Sequence, residues 1–191
     1  MTNLRRTVLA DAAIGLLADT GMRGLTHRAV DGAAGLATGT TSAYFRTRKA
    51  LLTALVHRLV ELDQAELQAA GERAPVPRDA AELTDGISAF IRMRLEGEGR
   101  RRSLARYACV VESAHHAELR EILLPRENAA REIVRAFLTA RGVSDVERRT
   151  LTLLACIDGL VFDRLLAGDG DVPKREVRGL VAAALREPDI D

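Results

Sequence analysis

The sequence predicts an all-α fold, and three observations carry that prediction. Only six of its 191 residues are aromatic, four Phe and two Tyr with no Trp, so strands lack an ingredient they favour. The core must be built from Leu, Val, Ile and Ala, and Leu and Ala are good helix formers. Apolar residues recur at i, i+3, i+4 and i+7, and no strand or internal repeat is recognisable. A length of 191 residues suits one domain or a small pair, with a core that needs neither disulfide nor metal. Hydrophobic residues at 47% and charged residues at 29% are an ordinary globular balance.

About nine helices follow in order. The first runs from Leu4 to Thr20, with Leu9, Ala12, Ala13, Leu16 and Thr20 on one face and Gly21 at its C-terminal cap. Thr26 caps a second short helix ending at Ala34, lined inside by Ala29, Val30 and Ala33 and stopped by Gly35. Leu36 plugs the turn. A third helix covers Thr38 to Phe45, although its β-branched and hydroxyl residues propagate helix poorly. Thr47 caps a fourth, with Leu51, Leu52, Leu55 and Leu59 on its buried stripe.

Pro75-Val76-Pro77 ends that helix and separates a head from a body. The head is assigned to residues 1–58, with the start of the linking helix, and the body to residues 59–191. Asp79 to Glu82 resembles a capping box and opens a helix carrying Leu83, Ile87, Phe90, Ile91 and Leu95. Gly97 to Arg102 reads as a solvated polar turn before a helix over Ser103–Ser113. Another helix spans Ala117–Ala140, which Pro125 must kink or split. Ser144 to Glu147 reads as a second capping box, opening a long helix to Ala167. A loop, Gly168 to Asp171, precedes a last helix from Pro173 to Arg186.

The net charge of +1 is unevenly spread. Residues 1–58 hold eight Lys/Arg against three acids, a balance of +5, and the remainder holds 20 against 24, a balance of −4. A basic head on a slightly acidic body points to an anionic partner for the head. Arg outnumbers Lys 26 to 2, so a single Arg is weak evidence of phosphate binding. No apolar run approaches the ~18 residues that span a bilayer, and the N-terminus lacks an uninterrupted signal core. No membrane association is expected. Cys109 and Cys156 have no metal spacing and read as buried thiols of a reducing cytosol. His115-His116 beside Glu112 and Glu118 lacks a further strong ligand set, so no metal is assigned. No GxSxG, HExxH, Walker-type or GxGxxG sequence occurs, so neither an enzyme nor a cofactor is expected.

The second and third helices form a helix-turn-helix candidate. The second of the pair is rich in hydroxyls and flanked by Arg46, Arg48 and Lys49. Such a helix enters the major groove, where Thr and Ser bond base edges and Thr methyls touch thymine methyls. A surface hairpin with no ligand is the competing reading of this pattern.

Leu25-Thr26-His27-Arg28-Ala29-Val30, Ala33-Ala34-Gly35-Leu36, Gly39-Thr40, Phe45, Thr47-Arg48 and Ala50-Leu51-Leu52 resemble the DNA-binding domain of the TetR (tetracycline repressor) family. The detailed resemblance covers residues 5 to 58, and beyond them only the helical plan is similar. It implies a homodimeric regulator of the bacterial cytoplasm and nucleoid, usually a repressor, bound to a palindromic double-stranded DNA operator and released by a small ligand. Carried over, the residues expected at DNA are Thr26, His27, Arg28, Thr38, Gly39, Thr40, Thr41, Ser42, Tyr44, Arg48 and Lys49. Arg28 matches a position that reaches base or phosphate, Tyr44 a polar aromatic near the backbone, and Arg48 a phosphate-gripping lysine. Ala37 replaces a frequent Ser, and Ser42-Ala43 a frequent aromatic pair.

For the body, the expected pocket lining is Phe90, Met93, Tyr107, Val111, His115, Phe137, Asp158 and Phe162, around a mostly apolar effector. Ordinary core packing is the alternative for each. The penultimate helix is apolar on two sides and so needs two partners. The expected dimer interface is therefore Leu154, Ile157, Val161 and Leu165 with Val177, Leu180, Val181 and Ala184, a helix buried wholly inside one subunit being the alternative. A ligand-independent regulator of the same fold and a dimeric protein-interaction module remain as alternatives.

Overall fold

A computed structural model describes residues 2–73, 77–123, 128–168 and 171–186. Within them the chain is helical without strands: α1 (Thr2–Gly24), α2 (His27–Ala33), α3 (Thr40–Tyr44), α4 (Arg48–Arg73), α5 (Ala80–Leu95), α6 (Gly97–Ser113), α7 (Ala117–Leu123), α8 (Ala129–Thr139), α9 (Val146–Ala167) and α10 (Lys174–Leu185). The tenth helix arises where one long helix was expected. α7 stops at Leu123, and Asn128 restarts the chain as α8 by accepting the Arg131 N–H at 2.9 Å. Pro125 lies outside the described residues, as do Pro75, Val76, Asp169 and Gly170. No described helix is long and apolar enough to cross a membrane.

The compact units do not follow the expected cut after residue 58. One comprises Met1–Asp63 with Glu98–Pro125, the other Gln64–Gly97 with Arg126–Asp191. In the first, α1, α2 and the start of α4 close around Leu9, Leu17, Leu25, Val30, Phe45, Leu51, Leu55 and Leu59, with Cys109 of α6 and Leu119 and Leu123 of α7 in the same core. α6 is tied to α1 by Arg101 Nη2 and Asp19 at 2.5 Å. Arg106 bonds Asp63 at 3.0 Å and the Leu123 carbonyl at 2.9 Å. The expected turn at Gly97–Arg102 is instead the start of α6, with Gly97 at φ 49° and the three arginines half-buried. Burial pushes the Cys109 thiol up to about 12, with Glu112 adding to the effect against Arg106. Cys156, expected buried, is exposed.

In the second unit α10 packs on α5 and α9, and α5 and α8 also pack on α9. Its core is Leu83, Ile87, Ile91 and Leu95 of α5, Val134, Phe137 and Leu138 of α8, Leu153, Ile157, Val161 and Leu165 of α9, and Val177 and Val181 of α10. This corrects the expected dimer interface. Ile157, Val161, Leu165, Val177, Val181 and Ala184 are buried within the chain itself, while Leu154 and Leu180 are half-buried. α9 does carry two apolar stripes, but the one facing solvent is Leu151, Phe162 and Leu166, exposed by 48%, 42% and 70%. The second capping box does not form either. Asp145 caps α9 at φ 52° without a side-chain bond to the helix backbone, its carboxylate accepting from Arg148 instead, and Glu147 pairs with Arg131 of α8.

Candidate nucleic-acid interface

The first unit places two short helices, α2 and α3, on a core supplied by its longer ones. Thr26 caps α2, accepting the Ala29 N–H at 3.2 Å, and is itself exposed. Arg28 projects from the first turn and is exposed. The inner face of α2 differs from expectation: Val30 and Asp31 are buried, whereas Ala33 is exposed.

Between the helices the chain turns through Gly35 and Gly39, at φ 63° and 95°. These are left-handed conformations that favour glycine. α3 is only five residues long and has no side-chain cap of its own. Asp31 supplies one from α2. Its Oδ2 accepts the Gly39 N–H at 2.8 Å, and its Oδ1 accepts the Thr41 N–H at 2.7 Å and the Thr41 hydroxyl at 2.5 Å. Burial, the largest single influence, opposes ionisation of this carboxyl. The bonds from Thr41 and Gly39, with the nearby His27, outweigh it and hold the group below its ordinary range.

Thr41 is therefore a correction to the expected DNA face: it is fully buried and its hydroxyl is committed to Asp31. Thr38, Gly39 and Ser42 are exposed as expected, together with Ala43. Thr40 is half-buried and donates its hydroxyl to the Ala37 carbonyl at 2.6 Å. His27 is half-buried and donates Nε2–H to the Phe45 carbonyl at 2.7 Å, tying the start of α2 to the end of α3. Tyr44 is half-buried, and its carbonyl accepts from Arg6 Nη1 at 3.2 Å. The same guanidinium sits 4.7 Å above the Phe45 ring.

Two of the basic residues expected at DNA, Arg48 and Lys49, have protein partners. Arg48 donates from Nη2 to the Met22 carbonyl at 2.6 Å and from Nη1 to that of Leu25, bracing the α1–α2 connection. Lys49 pairs with Glu118 of α7. Arg46 is exposed just after α3. Sequence reasoning missed Asp31, Arg6 and Glu118. Asp31 did leave a trace, as the one charged residue between Ala29 and Phe45.

The eight expected pocket residues divide between the units. Tyr107 is half-buried and Val111 and His115 are exposed in the first. In the second, Phe137 is in the core with the Arg141 guanidinium 3.5 Å from its ring centre. Phe90 and Met93 are half-buried there, and Asp158 and Phe162 are exposed. None of them lines the cleft of about 590 Å³ between α5 and the start of α10. That cleft is polar rather than apolar, with Asp85, Arg92, Glu96, Asp171 and Lys174 in its wall.

Residues 78–187, more than half of the chain, match the family model described as the tetracyclin repressor-like C-terminal domain. No curated protein matches the chain. Among solved structures, the multidrug binding protein EbrR, complexed with imidazole, is 26% identical over 96% of each chain with a TM-score of 0.68. A transcriptional regulator from Rhodococcus sp. Rha1 is 23% identical over 94% of this chain and 93% of its own, TM-score 0.73. A TetR-family member from Streptomyces coelicolor A3 is 24% identical over 95% and 98%, TM-score 0.69. A helix-turn-helix unit, a C-terminal region whose described elements are all helices and the match across that region lead to one assignment: the chain belongs to the TetR family of DNA-binding transcriptional regulators.

Proposed function

We propose that the chain acts as a repressor, binding a palindromic operator as a homodimer and leaving it when a small molecule binds the second unit. The observation that carries the DNA-binding part is the surface around α3. Short hydrogen-bonding or methyl-bearing side chains occur at Thr38, Thr40, Ser42 and Ala43, and the cations Arg28, in the first turn of α2, and Arg46, just after α3, are exposed. Short side chains let a helix lie deep in the major groove, and exposed cations suit the phosphate backbones. Thr26, Gly39 and Tyr44 contribute backbone approach and polar atoms at the edges. His27 and Arg48 hold the geometry from behind, and Lys49 reaches phosphate only by leaving Glu118.

A palindrome requires two copies with reading helices about one DNA turn, ~34 Å, apart. The exposed stripe Leu151, Phe162 and Leu166 of α9 supports self-association. An isologous interface needs such an apolar patch to meet itself. For the effector, EbrR has been crystallised with ethidium and with proflavin. In this chain the charged cleft beside α5 favours a polar or charged molecule over the mostly apolar one expected from sequence. A ligand-independent regulator is the second reading, favoured by the burial of Phe137 in the core.

Capture of genomic DNA fragments by the purified protein, followed by sequencing, gives the operator. Anisotropy titrations at two salt concentrations then follow. Selective binding that weakens steeply with salt supports the reading. Failure to retain any DNA above background at low salt overturns it.

A further inference from the structure

We infer that Asp31 is the positioning residue of the DNA-reading helix: its carboxylate, reaching across from α2, sets where α3 presents Thr40, Ser42 and Ala43. The inference rests on the DNA-binding reading above and adds a specificity determinant that touches no DNA.

α3 has little to hold it in place by itself. Five residues are far too few for a helix stable alone in water. Two of them, Thr40 and Thr41, are β-branched, and the preceding Gly39 offers no side-chain cap. The C-terminal end of α3 is anchored by Phe45, which is 1% exposed in the apolar core. Inside α3 the one fully buried residue is Thr41, whose hydroxyl bonds Asp31, while half-buried Tyr44 packs on the apolar core at the C-terminal end. The N-terminal end therefore depends on Asp31, which takes up three donors: the Gly39 N–H, the Thr41 N–H and the Thr41 hydroxyl. All three are neutral, and the carboxylate is only 2% exposed. A buried charge is tolerated when hydrogen bonds satisfy it, and those bonds then constrain direction as well as distance.

Two anchors fix an axis where one would leave a pivot. With Phe45 alone, α3 could swing about its C-terminal end. With Asp31 bonded to both the turn and the second residue of the helix, the tilt of α3 against α2 is fixed. Base reading depends on that tilt, because hydrogen bonds to base edges weaken steeply with misalignment. Phosphate attraction from Arg28 and Arg46 does not depend on it to the same degree. Asp31 should therefore govern selectivity while leaving general DNA affinity in place.

The test uses the full-length protein, a duplex recovered by genomic capture with the wild type, and a scrambled duplex of the same composition. Asp31→Ala removes all three bonds. Asp31→Asn keeps an acceptor for Thr41 but turns an amide N–H₂ toward the Gly39 N–H. Thr41→Val keeps the side-chain shape and removes only the hydroxyl bond. The expected order of selectivity is wild type, Thr41→Val, Asp31→Asn, Asp31→Ala, with a fall of at least about tenfold for the last, comparable to one lost base contact. Affinity for the scrambled duplex and its salt dependence should stay near wild type. Hydrogen exchange over residues 36–45 should rise in the same order. A purely structural role would instead lower binding to both duplexes alike, in step with the melting temperature, and would overturn the inference. Wild-type selectivity retained in Asp31→Ala would overturn it as well, with the DNA-binding reading left standing. A wild type that binds neither duplex removes that reading and this inference together.

Discussion

Lys49 Nζ lies 2.8 Å from a carboxylate oxygen of Glu118, joining the first turn of α4 to the first turn of α7 across 69 positions of sequence. The lysine stands just after the helix-turn-helix, where a cation would meet the DNA backbone, and its counter-ion in the free protein is the chain's own. The ion pair with Lys49 holds the Glu118 carboxyl below its ordinary range, with a smaller contribution from His116. On the proposed DNA-binding reading, Glu118 would compete with phosphate for the same ammonium. Glu118→Gln should tighten DNA binding about two- to fivefold, the range set by an exposed pair. It should also steepen the salt dependence by up to about one unit of slope. Titrations of both proteins at three salt concentrations check this, and equal affinities and slopes would show that Lys49 does not meet phosphate.

Arg48 separates two roles that its position alone would confuse. A residue gripping phosphate as a point charge tolerates Lys, whereas one bridging two carbonyls with a planar fork does not. The bonds to the Met22 and Leu25 carbonyls predict that Arg48→Lys and Arg48→Ala both destabilise the protein. The expected loss is about 1 kcal/mol for an exposed bridge. Thermal unfolding monitored by circular dichroism gives the answer. An Arg48→Lys protein as stable as wild type would return the residue to the phosphate.

The two stripes of α9 predict opposite outcomes for the same chemical change. Val161 is 1% exposed, so Val161→Asp buries an unpaired charge and should leave insoluble or unfolded protein. Leu166 is 70% exposed, so Leu166→Asp should fold normally and sediment as a monomer where the wild type sediments as a dimer. A wild type that is monomeric at micromolar concentration would remove the dimer from the proposed function.

The depressed carboxyl of Asp31 makes a signed prediction about acid. A group whose pKa is lower in the folded state contributes stability above its unfolded value, here an ordinary 3.8. That contribution fades as pH falls through the lower folded value. Urea unfolding of wild type and Asp31→Asn should therefore differ most at neutral pH, with the gap narrowing only below the ordinary Asp range. A gap that stays constant down to the acid limit would mean that ionisation of Asp31 does not contribute.

The amino-acid sequence by itself determined the class of fold, most element boundaries and the family. These follow from local chemistry: spacing of Leu and Val, Thr26 and Asp79 as caps, Gly35 and Gly39 as turns. Local chemistry is legible because its partners are a few residues apart. The tertiary structure alone decided which of two apolar stripes on α9 turns inward, since periodicity marks both and only the positions of α5, α8 and α10 choose between them. It likewise decided that Thr41 faces Asp31, ten residues away, and that Arg48 and Lys49 are engaged by Met22, Leu25 and Glu118. A cation or hydroxyl in a sequence offers hydrogen-bonding capacity without a direction. Packing of distant helices supplies the direction, and with it the difference between a side chain that meets DNA and one that holds the reading helix in place.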